Sequence, residues 1–167
     1  MTLGLSLSGF TTLHIVISLI GIASGLVVLY GMLASRRLPG WTALFLATTI
    51  LTSVTGFMFP FSGVLPAHVV GAISLVLLAV ALLALYAFQL AGPWRWVYVA
   101  TALAALYFNV FVGVVQAFRK LAFLQSLAPT QSESPFAAVQ LVVLALFLVL
   151  GWLAARRFYP AGGVATA

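Results

Sequence analysis

The sequence predicts an all-α integral membrane protein, a bundle of five transmembrane helices, on three observations. Hydrophobic residues make up 65% of the 167-residue chain. Charged residues make up only 5%, against about a quarter in a soluble domain. Five long apolar stretches cover most of the length, and Glu133 is the only carboxylate, with no Asp at all. The solvent for most of such a chain is lipid. The spans leave no room for a separate soluble domain, so residues 1–167 read as one integral-membrane domain.

The first ten residues, MTLGLSLSGF, lack the basic start of a cleavable signal peptide. The first apolar stretch, 11–34, is therefore expected to be a retained span. The others run over 41–61, 66–91, 95–118 and 136–155, each with about 20 or more residues, enough to cross a core of about 30 Å. Their ends carry stop signals. Ser35-Arg36-Arg37-Leu38-Pro39-Gly40 is a charged turn, and Phe59-Pro60-Phe61-Ser62-Gly63 breaks the second span. Pro66 suits the first turn of the third span, Ala91-Gly92-Pro93 closes it, and Ser134-Pro135 reads as a cap followed by a first-turn Pro. In the connection 119–135, RKLAFLQSL is expected to form a short interfacial helix and APTQSESP a polar loop.

Basic residues set the expected orientation. One set of loops holds Arg36, Arg37, Arg95, Arg156 and Arg157, while the other holds Arg119 and Lys120. The positive-inside rule then puts the amino terminus outside and the carboxyl terminus in the cytoplasm. Trp41, Trp94, Trp96, Trp152 and Tyr159 sit near the cytoplasmic ends as an aromatic belt. This is the pattern of a protein of a bacterial inner membrane. The net charge of +6 is a topology signal, because no clustered basic face suits nucleic acid.

Several chemistries are excluded. Without cysteine there are no disulfides, iron–sulfur clusters or thiolate metal sites. With one acid there is no carboxylate pair, no Ser–His–Asp triad and no buried proton carrier of the kind pumps use. No G-x-S-x-G turn or phosphate-binding glycine loop occurs. Any reactivity would have to come from a cofactor, and the chain is read as having no catalytic activity of its own.

Polar residues inside spans are the functional candidates, because each is costly in hydrocarbon. His14 and His68 lie at matched depth near the outer ends of the first and third spans. His14, Ser18, Gly21 and Gly25 recur at helical spacing, and Gly71 follows His68 on its own face. A histidine followed by small residues leaves a slot for a flat macrocycle. The pair is therefore expected to ligate one b-type haem, with Gly21 and Gly71 giving clearance and Arg119 and Lys120 pairing with propionates. Such a site would exchange electrons with a quinone or a partner redox protein. The bland reading of the same residues is close helix packing. A second metal reading completes the sphere with Glu133, Gln116 or Asn109. The Thr48, Thr52 and Thr55 series is read as hydroxyls bonding back to their own helix.

The competing reading needs no cofactor. Asn109, Gln116 and Gln140 would form a polar intramembrane face lining a path through a homo-oligomeric transporter or channel. A third reading is an accessory subunit docked to a larger membrane complex. In architecture the chain is similar to the gamma subunit of respiratory nitrate reductase, which uses four histidines for two haems where this chain has two histidines. It is also similar in span number to the tryptophan-rich sensory proteins, whose motifs Trp94-Arg95-Trp96 does not match. Neither similarity carries a residue over.

Overall fold

The computed structural model describes residues 6–59 and 66–159. Among them the fold is entirely helical: α1 (Leu7–Leu33), α2 (Pro39–Gly56), α3 (Pro66–Leu82) continued by a π-helical turn (Leu83–Ala87), α4 (Trp94–Lys120), α5 (Ala122–Leu127) and α6 (Ser134–Arg157). Four helices, not the expected five, are long and apolar enough to cross a membrane: α1, α3 with its π turn, α4 and α6. The expected second span falls short in apolarity, not in length. With 18 residues α2 is about 27 Å long, enough to cross, but its buried face carries Thr42, Thr48, Thr49, Ser53 and Thr55. It ends at Gly56, and residues 60 and 61 of the expected span lie outside the described residues.

Helix ends mostly follow the stop signals. α1 closes in a Schellman arrangement: the Arg36 amide donates to Gly31 O at 2.8 Å and the Ser35 amide to Met32 O at 3.2 Å. Ser35 takes the left-handed conformation there, with φ of 55°. Gly31 is required beside it, since a Cβ would lie 2.9 Å from Leu38 Cδ1 and 3.1 Å from Arg36 O. α3 starts at Pro66 as expected. The third span passes into its π turn and breaks at Gln89, Leu90 and Gly92, all with positive φ, where Phe88 stacks on Trp94. The N-cap position of α6 falls one residue earlier than expected, on Glu133, whose side chain makes no capping bond, with Pro135 still in the first turn. Of the short helix expected from RKLAFLQSL, the last six residues form α5, while Arg119 and Lys120 finish α4.

α1 packs chiefly on α2, α3 on α4, and α4 also on α6. The core they share is built from Val28, Met32, Phe45, Leu46, Leu78, Val99 and Leu106. α6 is peripheral, with Ala154 its one fully buried residue among those described. It meets α4 through the ring pairs Tyr107–Phe147 and Phe118–Phe136 and through polar ties. Gln140 Nε2 donates to Phe111 O at 3.3 Å, and Gln131, just before α6, donates to Val115 O at 3.2 Å.

Arg95 locks the other end of α6. The side chain is buried, with Nη1 donating to Ala155 O at 3.0 Å and Phe158 O at 2.7 Å, and its guanidinium lies 3.8 Å from the Tyr159 ring centroid. Helices leave their last carbonyls without internal partners, and here a cation from α4 takes two of them. Arg95→Met leaves both unpaired and is expected to cost about 1.5–3 kcal/mol. A melting temperature in detergent lowered by several degrees would show it, with Arg95→Lys recovering part of the loss.

Candidate functional site

The start of α1, the end of α2, the start of α3 and the second half of α4 meet at one end of the bundle. Between them lies a cavity of about 90 Å³ whose lining includes His14, Thr49, Thr52, Ser53, His68, Ser74 and Asn109. The two histidines that the sequence placed at one depth thus face one common space. That volume holds roughly three water molecules at ~30 Å³ each and lies below the ~300 Å³ at which small-molecule pockets begin.

His14 is fixed by geometry. Its Nδ1 is 2.7 Å from Thr55 Oγ1, and its ring meets Phe59 edge-on at 5.2 Å. The Thr55 hydroxyl also lies 2.7 Å from its own helix carbonyl, Leu51 O, so His14 and the last turn of α2 share one hydrogen-bonded cluster. His68 stacks on Phe57 with centroids 5.6 Å apart. Both rings are held by aromatic neighbours contributed by the end of α2.

Around the histidines the hydrogen bonding is incomplete. Thr49 Oγ1, Thr52 Oγ1 and Asn109 Nδ2 are buried with no partner among the described residues, and all three residues line the cavity. The expected back-bonding holds for Thr48, which donates to Leu44 O at 2.7 Å, and for Thr55, but Thr52 departs from it. Thr49, Ser53 and Ser74 were not singled out by sequence. The signal for them was present: Thr49, Ser53 and Gly56 share one face of α2, and Ser74 extends the face of His68 and Gly71.

The remaining expected site residues fall elsewhere. A Cβ on Gly21 would lie 3.1 Å from Asn109 Nδ2 and 3.3 Å from the Thr48 and Thr49 hydroxyls. One on Gly71 would lie 3.2 Å from Phe57. The space beside each of these two glycines is therefore taken by side chains of neighbouring segments. Arg119 and Lys120 are exposed in the last turn of α4, where the helix dipole favours cations. Asn109, Gln116 and Gln140 separate. Asn109 lines the cavity, Gln140 bridges α6 to α4, and Gln116 is exposed. No cluster of three or more His, Cys, Asp or Glu able to hold a metal occurs among the described residues.

Glu133, considered as a third metal ligand, is instead engaged in its own loop. Its carboxylate accepts from the Thr130 amide at 3.1 Å, the Thr130 hydroxyl at 2.8 Å and the Ser132 amide at 3.1 Å. Slight desolvation pushes its pKa up, but these hydrogen bonds outweigh that and hold it below its ordinary value. A depressed carboxylate stabilises the fold above the unfolded-state pKa, and that contribution disappears as pH falls through the folded value. The amide resonances of Thr130 and Ser132 are expected to titrate together with a midpoint below that of an ordinary glutamate. Glu133→Gln should abolish that titration, and a midpoint at or above the ordinary value would refute the assignment.

Against known protein families, curated proteins and solved structures, the chain matches none.

Proposed function

We propose that this chain is an integral membrane protein that binds and passes small neutral hydrogen-bonding molecules, of the size of water or ammonia, through the polar cavity between α1, α2, α3 and α4. The carrying observation is the convergence of three unpartnered buried polar atoms, on Thr49, Thr52 and Asn109, with two histidines on one space. An unpaired buried hydroxyl or amide costs about 1–3 kcal/mol, so the three together cost about 3–9. Native stability is itself only ~5–15 kcal/mol. A hydrogen-bonding occupant removes that cost. The lining carries no carboxylate to neutralise a cation, which favours a neutral occupant.

In this reading α2 is a shorter fifth crossing, antiparallel to α1. Arg36, Arg37, Arg95, Arg156 and Arg157 mark the cytoplasmic side and the cavity opens toward the outer half, with the amino terminus outside. The chain works in a cytoplasmic membrane, with lipid or a second copy covering the apolar face of α6.

Liposomes containing the protein are expected to shrink faster under osmotic challenge, or to alkalinise faster under an ammonia gradient, than empty ones. Equal rates would overturn the proposal. The haem reading has a separate readout. A Soret band in protein purified after haem supplementation would restore His14 and His68 as axial ligands and displace the neutral-solute reading.

A further inference from the structure

The opposite end of the bundle holds a larger cavity of about 320 Å³, within the range of small-molecule sites. It is independent of the histidine cavity. Val28, Met32, Leu85 and Phe158 give it apolar walls, and Arg36 and Arg37 stand at it. No acidic side chain among the described residues answers these two charges, because Glu133, the one acidic side chain in the sequence, begins α6 and belongs to the other end.

The arginines sit on a prepared support. The Schellman closure of α1, with Gly31 pressed against Leu38 and Arg36 O, sets the path of the turn. The tail after α6 is tied to the same turn, the Tyr159 amide donating to Ser35 Oγ at 2.8 Å. Arg95, at the same end, is already committed to the Ala155 and Phe158 carbonyls. Arg156 is engaged with the Trp152 ring, its guanidinium carbon 4.1 Å from the centroid, and neither it nor Arg157 lines the cavity. Arg36 and Arg37 are the cations this cavity offers to a ligand.

We infer that this cavity binds an anionic phospholipid, its phosphate against Arg36 and Arg37 and the start of an acyl chain against Met32 and Leu85. Cationic groups beside an apolar recess between membrane helices match an acidic amphiphile, and guanidinium groups match phosphate oxygens in geometry as well as charge. A zwitterionic headgroup leaves its own cation against the arginines.

The test uses the full chain in mild detergent, with phosphatidylglycerol, phosphatidylcholine or inorganic phosphate added, read by melting temperature and native mass spectrometry. Phosphatidylglycerol is expected to raise the melting temperature by several degrees and to remain bound, whereas phosphatidylcholine and phosphate do neither. Arg36→Gln with Arg37→Gln should lower phosphatidylglycerol affinity roughly 10- to 30-fold, while keeping the unliganded melting temperature. Arg156→Gln with Arg157→Gln removes the same charge away from the cavity and should leave the shift intact. Equal shifts with phosphatidylcholine or with free phosphate overturn the inference, as does equal loss in the two double variants.

Discussion

Asn109→Leu is expected to return solute permeability to that of protein-free liposomes while leaving the fold as stable as before, or more stable. The two side chains are similar in size, so the cavity keeps its walls and loses a polar one. The amide nitrogen it removes is buried and bonded to no described residue, so no intramolecular hydrogen bond is lost with it. A purely structural Asn109 would lower stability on removal and leave permeability alone. Lost flux with an unchanged or raised melting temperature is the signature of a residue kept for its occupant. Thr49→Val should act in the same direction, since Thr49 is 1% exposed and its hydroxyl is also unpartnered. Unchanged flux in both variants would remove the cavity from the pathway.

Gly25→Val is expected to be the most damaging single change to the fold, costing about 3 kcal/mol or more. A Cβ at this position would lie 2.5 Å from Leu106 Cδ1 and 2.9 Å from two atoms of the Phe45 ring. Leu106 and Phe45 are themselves almost fully enclosed, so neither can swing away. α1 approaches α2 and α4 here, and a branched side chain would separate all three. The expected result is a low yield of folded protein and a sharply lowered melting temperature. Gly113→Ala is the contrast. Its Cβ would meet Ile22 Cδ1 at an ordinary 3.5 Å, and helix propensity favours Ala by ~1 kcal/mol, so that variant should be neutral or stabilising.

Gly25 also shows where sequence reading stops. Its spacing after His14, Ser18 and Gly21 was visible, and a row of small residues predicts a close approach. What approaches is not encoded locally, so a cofactor slot and a helix contact look alike. The neighbours turned out to be Leu106 and Phe45 for Gly25, and Asn109, Thr48 and Thr49 for Gly21. The helical character of the chain was legible because lipid-facing composition leaves few alternatives. The matched depth of His14 and His68 was legible from span direction alone, and both do line one cavity. The polarity of α2 was underweighted. The Thr48, Thr52 and Thr55 series was visible, but with Thr42, Thr49 and Ser53 beside it α2 is not among the helices apolar enough to cross a membrane, and its hydroxyls supply much of the cavity wall. Arg95 was read as a topology signal, and its second task as a cap for α6 depended on a contact 60 residues away.

The marginal burial of α6 has a consequence for biosynthesis. Most of the side chains that interlock at the centre, Val28, Phe45, Leu78 and Leu106 among them, precede residue 107, so they are translated before Ser134 leaves the ribosome. The earlier helices can assemble without waiting for the last one. Until it arrives, the guanidinium of Arg95 has no carbonyls to hold and stays toward water. Arrival of the final helix then acts as a latch, drawing that charge inward and closing the assembly.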